Sequence, residues 1–360
     1  MAESQGLEEL RKEIDELDRQ LIELLSKRAN VVVSVGQLKR DTETPIYVPH
    51  RERAVLDRVL AMNKGPLSDR TIEAIYRELM SGSFQLEKPL TIAHLAPTGS
   101  FSHIAAIRHF GSSVDCVGVQ SIERVFREVA AGHCVYGLVP YENSTSGSVT
   151  DTLDAFNEHD VTIYAEALID IKHCLLCNGD PKNIKAIASK PQVISQCRKW
   201  LTAMFPDVDI IETGSSAQAV TLAANDPQTA AIGSALASKE HGVDIAIDNV
   251  QDRSENITRF LVLAKEAAQP TGDDKSTIMF TTKHETGALV DVLAAFRDNG
   301  INLSHIDKRP SGRVNWNYTF YIDADAHRDT PELQAAVKTA SNFCNMIDVL
   351  GSYPKAQQVL

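Results

Sequence analysis

Between Leu7 and Leu38 the apolar residues recur at alternating steps of three and four: Leu7, Leu10, Ile14, Leu17, Leu21, Leu24, then Arg28, then Val31, Val35 and Leu38. This heptad stripe predicts one long amphipathic helix. Arg28 is the only charge in it, and an unpaired guanidinium buried there costs on the order of several kcal/mol, so it needs an anionic partner. No neighbouring seam position carries an acid. Two readings stay open: a bound anion, or a polar register device in a coiled-coil seam. Arg28 and Lys39 lie about 20° and roughly 16 Å apart on an ideal helix and can face one pocket. Arg11, rotated roughly 100° from Arg28, suits a second pocket better.

A break at residues 42–45 (Thr, Glu, Thr, Pro) precedes two shorter helical patterns, residues 51–63 and 68–86, separated by Gly65 and Pro66, with Ser68 as N-cap. A first helix of about 50 Å cannot bury its seam against those two, which predicts an intertwined dimer. From Leu90 to about Lys265 the pattern alternates strand, Gly/Ser turn and helix, as in an α/β sheet with helix N-termini gathered at strand ends. AEALIDIKHCLLC reads as one strand within it. After a linker at residues 268–275 comes a βαββαβ order: STIMFTTK, a helix over 287–299, NLSHIDK, VNWNYTFYID, a helix over 331–346 and VLGSY. That is a ferredoxin-like module, with Gly300 placed to end its first helix in a left-handed conformation.

The chain has 360 residues, 43% of them hydrophobic, and a net charge of −12. Without a Lys/Arg cluster on any domain, nucleic acid is excluded as a bulk electrostatic partner. No apolar run approaches a membrane span and no basic, then apolar leader opens the chain, so a cytoplasmic protein without membrane contact is expected. The six cysteines fit reduced thiols. Cys174 and Cys177 form a CxxC, but on a strand they face opposite ways, so no metal is expected there. GxxxxGK[ST], GxGxxG and HExxH are all absent from the sequence, and no cofactor is expected.

These residues, taken together, resemble the family of bifunctional chorismate mutases and prephenate dehydratases of phenylalanine biosynthesis. In the helical region the family pattern falls on Arg11, Arg28, Lys39, Arg51, Glu52, Ser83 and Glu87. The resemblance implies that Arg28 and an Arg11 from the partner chain hold the two carboxylates of chorismate. It also implies Lys39 and Glu87 at the ether oxygen and Glu52 at the ring hydroxyl. That set suits the chemistry: a pericyclic step needs no nucleophile, only cations that fold the substrate and donors aimed where charge develops. Val48 stands where Asp is commoner, and Glu87 where Gln is; a carboxylate donates only when protonated.

In the middle region LAPTGSFSHIAA, VPYENSTSGSV, SKPQVISQC and ENITRF resemble the dehydratase motifs, with Ala96, Ser100 and Lys190 departing from the family residues. The resemblance makes Thr258 the donor or relay to the leaving hydroxyl of prephenate. It places Glu142, Asn143, Ser144, Gln196 and Arg259 around the same pocket. Ser100 and the turn at Gly233 and Ser234 begin helices that could hold carboxylates, or else the hydroxyls are simple N-caps. Cys197 reads as core. At the C-terminus TGALVDVL and HIDKRPS resemble the two phenylalanine-site elements of an ACT domain, which implies Gly287, Ala288, Leu289, Arg309 and Pro310 as effector contacts, with Asp307 and Lys308 altering the second element.

The resulting expectation is a multidomain fold. It comprises an all-α intertwined mutase domain (1–88), a two-lobed α/β dehydratase domain like periplasmic binding proteins (89–267) and a ferredoxin-like ACT domain (275–354). The partners would be chorismate, prephenate, the effector L-phenylalanine and a second copy of the chain. The alternatives are a non-catalytic amino-acid-responsive binding protein, which leaves the cationic seam unexplained, and a dehydratase that also takes arogenate.

Overall fold

The computed structural model describes residues 2–41, 47–310 and 318–360. The break expected at 42–45, and part of the VNWNYTFYID strand, lie outside the described residues. The chain divides into two compact units: the residues up to Leu90 with Gly111–Val114, and Thr91–Phe110 with Asp115–Leu360.

The first unit consists of α1 (Ala2–Asp41), α2 (Pro49–Met62) and α3 (Asp69–Glu87). Ser68 caps α3, its hydroxyl accepting from Thr71 N at 3.3 Å. α1 comes close to α3 at Gly36, where an added Cβ would lie 2.8 Å from Glu87 Cα. The seam of α1 stays uncovered: Leu7, Leu10, Ile14, Leu17, Leu21, Leu24, Val31 and Leu38 are each between 52% and 67% exposed. An apolar stripe of that length left to water is a surface that calls for a partner.

The second unit opens with β1 (Thr91–Leu95), α4 (Phe101–Phe110), β2 (Asp115–Val119), α5 (Ile122–Ala130), β3 (Tyr136–Asn143), β4 (Gly147–Ser148), α6 (Thr150–Ala155) and β5 (Thr162–Asp170). The chain then crosses to a second sheet. This holds β6 (Cys174–Leu176), β7 (Ala186–Ser189), α7 (Pro191–Gln196), α8 (Arg198–Met204), β8 (Asp209–Glu212), α9 (Ser216–Asn225), β9 (Thr229–Gly233), α10 (Ala235–His241) and β10 (Ile245–Ile247). It returns with β11 (Ile257–Ala264), which inserts antiparallel between β3 and β5. The sheet orders are β2-β1-β3-β11-β5 and β10-β6-β9-β7-β8. Two crossings between two sheets make two lobes. AEALIDIKHCLLC, expected as one strand, is therefore two strands in different lobes, broken at residues 171–173. A period-2 pattern carries no mark of which sheet each half joins.

The remaining elements are β12 (Asp274–Thr282), α11 (Ala288–Asp298), β13 (Leu303–Pro310), β14 (Tyr318–Ala324), α12 (Pro331–Ala340) and β15 (Cys344–Pro354). They form an antiparallel sheet ordered β13-β14-β12-β15. Gly300 takes φ +73° at the end of α11, as expected. α12 stops at Ala340 and not near residue 346, because Cys344 and Met346 pair with β12 as strand. One face of this sheet packs under α11 and α12. From its other face Met279, Tyr321, Leu350 and Tyr353 join the core of the first lobe. The approach is tightest at Gly351, where a Cβ would lie 2.2 Å from Ile163 O in β5.

Candidate active sites

In the first unit a cavity of ≈ 530 Å³ opens between the three helices, and its walls include Arg28, Lys39, Val48, Arg51, Glu52, Ser83 and Glu87. Six of the seven residues expected from the helical region thus meet at one place. Arg11 is the exception. Its side chain is exposed, and at 1.5 Å per residue it stands about 25 Å along α1 from Arg28.

Arg28 Nη1 donates to Ser83 Oγ at 2.8 Å, and that hydroxyl donates onward to Leu79 O at 2.7 Å. Lys39 Nζ donates to Glu87 Oε2 at 2.8 Å. Burial pushes the Glu52 carboxyl up to about 8, with Arg77 drawing it back only in part. A carboxyl raised that far is mostly protonated at pH 7. Val48 sits at the N-cap of α2 without a side-chain bond, so the helix lacks the cap that Asp would give. The sequence reading missed Arg58, which also lines the cavity. Its signal was available: it lies seven residues after Arg51, on the same face of α2.

The dehydratase motifs converge on the end of β3 and the start of β11, where Asn143 pairs with Thr258 and Glu142 with Arg259. Asn143 is a hub. Its Nδ2 donates to Thr258 Oγ1 at 2.9 Å and to Asn256 Oδ1 at 2.7 Å. Its Oδ1 accepts from the backbone N–H and hydroxyl of Thr145, at 3.0 and 2.6 Å, and from those of Ser146, at 3.0 and 3.1 Å. With Asn143 donating to it, the Thr258 hydroxyl has its own proton left to give. A cavity of ≈ 570 Å³ adjoins this hub, walled by Thr145, Ser146, Gln196, Lys199, Arg253 and Asn256 among others. Gln196 is the one expected dehydratase residue in its walls; Thr258, bonded to Asn143, is buried at 8% exposure. Lys199 and Arg253 were not foreseen.

Several expected contacts lie elsewhere. Ser100 and Ser234 are caps: Ser100 Oγ accepts from His103 N and donates to Leu95 O, and Ser234 Oγ accepts from Ala237 N and donates to Gly99 O. Ser144 Oγ accepts from Ile257 N at 3.0 Å and ties the two strands. Glu142 and Arg259 point away from the hub, since adjacent strand residues face opposite ways. Tyr141 is the extra residue of a bulge at that point. Glu142 Oε2 lies 3.5 Å from His305 Nδ1 of β13. Arg259 is 7% exposed and set among Glu166, Asp323 and Tyr353. Burial alone would raise the Asp323 carboxyl, but the Arg259 guanidinium overrides it and holds it below the usual carboxylate range.

One participant had no signal of its own in the sequence. His173, 1% exposed, bonds through Nε2 to Gln196 Oε1 at 2.8 Å, and Gln196 Nε2 donates to Thr145 Oγ1 at 3.4 Å. Its Nδ1 has no partner among the described residues. A buried orphan acceptor is tolerated better than an orphan N–H, so the proton belongs on Nε2. Burial lowers the ring's pKa, keeping it neutral. The donors then run one way, from His173 through Gln196, Thr145 and Asn143 to Thr258. Replacing His173 with Leu is expected to cut dehydratase kcat about tenfold, the worth of one buried hydrogen bond. His173→Gln, whose amide nitrogen can stand where Nε2 does, should recover most of it in the same assay.

In the C-terminal module Gly287 has φ +87° at the start of α11, followed by buried Ala288 and half-buried Leu289. Arg309 and Pro310 end β13 at the same end of the sheet, level with Thr319 and Thr281. Arg309 is occupied within the chain, donating from Nε to Asp154 Oδ1 at 3.0 Å and from Nη2 to Oδ2 at 2.5 Å.

Three known families match in order: chorismate mutase type II over residues 10–88, prephenate dehydratase over 92–268 and the ACT domain over 276–342. A bifunctional chorismate mutase/prephenate dehydratase of Pseudomonas aeruginosa is 40% identical, with 99% of this chain and 100% of that protein aligned. Its counterpart in Aquifex aeolicus is 39% identical, over 97% and 98% of the two chains. Among solved structures, a prephenate dehydratase from Arthrobacter aurescens in complex with L-Phe is 30% identical. It superposes with a TM-score of 0.70 over 75% of this chain and 92% of that one.

Proposed function

The chain belongs to the bifunctional chorismate mutase/prephenate dehydratase family, and from that premise we propose that it carries out both steps toward L-phenylalanine and is inhibited by that amino acid. The first unit rearranges chorismate to prephenate; the second removes water and CO2 from prephenate to leave phenylpyruvate. The observation that carries the reading is the convergence of Arg28, Lys39 and Arg51 on one cavity with Glu52, Ser83 and Glu87.

Chorismate is a dianion whose ether bond breaks as a carbon–carbon bond forms. The cavity supplies fixed positive charge for its carboxylates, and the Lys39 ammonium lies where negative charge grows on the ether oxygen. Glu52, mostly protonated at neutral pH, meets the ring hydroxyl without repelling the substrate. The sign of the pH dependence follows: above about pH 8 Glu52 ionises, a negative charge joins a dianion, and mutase kcat/KM should fall. Glu52→Gln should keep a flat profile through that range. Equal profiles for the two proteins would remove Glu52 from the pocket chemistry.

The pocket is completed by a second copy. The exposed seam of α1 supports a homodimer of long helices, in which the partner's Arg11 reaches the cavity and Arg28 faces substrate instead of water. A cytoplasmic location goes with these soluble substrates.

For the dehydratase, loss of water and CO2 creates an aromatic ring, so the protein's task is to protonate the departing hydroxyl. The Thr258 proton, left free by Asn143, does this. Lys199 and Arg253 favour dianionic prephenate over arogenate, whose ammonium would face them. L-phenylalanine occupies the end of the ACT sheet marked by Gly287, Ala288, Leu289, Arg309 and Pro310. The test is to supply chorismate to purified protein and follow prephenate and phenylpyruvate, with and without phenylalanine. Conversion at both steps is expected. No conversion at either would favour a phenylalanine-binding regulator.

A further inference from the structure

Five strands from two sheets meet at Arg259. From its own lobe, Glu166 of β5 places Oε2 2.7 Å from Arg259 Nε. From the ACT sheet, Asp323 Oδ2 of β14 accepts from Nη1 at 2.5 Å, and Tyr353 Oη of β15 accepts from Nη2 at 2.8 Å. Thr277 of β12 donates to Asp323 Oδ1 at 2.7 Å and shares a hydrogen bond of 2.5 Å with Tyr353. Lys275 Nζ, 3.2 Å from Glu166 Oε2, balances the charge at two cations and two anions. Asp323, Thr277 and Tyr353 are fully buried. A buried guanidinium cannot be parted from its anions cheaply, and Gly351 leaves the two sheets no slack.

The strand so gripped is the one that carries Thr258, the residue before Arg259. The facing strand β3 is met as well, by His305 at Glu142, and the helix α6 that follows it is held by Arg309 at Asp154 and by Tyr321 Oη, which donates to Leu153 O at 2.7 Å. The ACT sheet thus holds both segments that frame the Thr258–Asn143 hydrogen bond.

We propose that Arg259 is a positioning residue and not a substrate ligand: Asp323 and Tyr353 hold it from the ACT sheet, so that a shift of that sheet displaces Thr258, the route by which an amino-acid effector lowers dehydratase turnover. This rests on the reading of Thr258 as proton donor and of the ACT domain as effector site.

Asp323→Asn and Tyr353→Phe keep the shape of the joint and leave Glu166 to hold the guanidinium, so both should fold; thermal unfolding and the mutase activity of the same chains check this. Their dehydratase kcat is expected to fall about tenfold, as small misplacements do, with prephenate KM within about twofold. Phenylalanine should still bind by calorimetry, yet inhibit at least tenfold less effectively. Wild-type kcat and an unaltered inhibition curve in either folded variant would overturn the proposal. If phenylalanine does not inhibit the wild-type protein, the regulatory reading fails by itself, and kcat in the two variants still decides whether the joint positions Thr258.

Discussion

Arg28→Leu is expected to lower mutase kcat/KM on the order of 10³-fold, the scale of losing a preorganised charge contact in a transition state, and to leave prephenate dehydration unchanged. The side chain lines the proposed mutase cavity and is oriented by Ser83 Oγ at 2.8 Å, with no acid bonded to it among the described residues. Removing it strands no buried partner charge, which separates this change from the cut of a buried ion pair. Leucine also completes the apolar seam of α1, so the stability of the proposed dimer should hold or rise. Chains carrying Arg11→Ala should be as inactive as mutases for the same reason. Mixed with Arg28→Leu chains, they should regain activity if two chains share the pocket as proposed, because one pocket of each mixed dimer then has both arginines. A poorly folded Arg28→Leu protein would make Arg28 a structural residue instead.

Thr258→Val should cost dehydratase kcat about 10²- to 10³-fold, in the range of general acid contributions, with the mutase untouched. Valine keeps the β-branched shape that a buried strand position prefers, so the fold is not the variable. It removes the hydroxyl that accepts from Asn143 Nδ2 and with it the proton proposed to reach the leaving group. Thr258→Ser should keep most of the rate. If Val and Ser fell equally, the methyl group and not the hydroxyl would be what the site needs.

The legible parts of this chain were those with a period or a spacing. The heptad of α1 announced the long helix, and the one cation that broke it pointed to the cavity. Gly300 and Ser68 marked helix ends because backbone geometry restricts which residues can stand there. What stayed hidden was long-range. Strand alternation, applied to ENITRF, would have sent Arg259 to the face opposite Thr258, but nothing local tells that an ACT sheet waits there with Asp323 and Tyr353. His173 sits in an apolar run that reads as core, and only the fold brings it against Gln196. The split of AEALIDIKHCLLC between lobes is likewise a property of sheet topology. Ser100 and Ser234 proved to be caps, the commoner use of a hydroxyl at a helix start.

If one chain holds two chemically independent sites, each step can be lost without the other. The most direct measurement supplies chorismate to an equimolar mixture of Arg28→Leu and Thr258→Val proteins and follows the products in time. Neither protein alone should make phenylpyruvate from chorismate at an appreciable rate. The mixture should, with free prephenate accumulating first, because each protein retains the step the other has lost. A mixture that produced no phenylpyruvate, although its two components fold, would contradict the account.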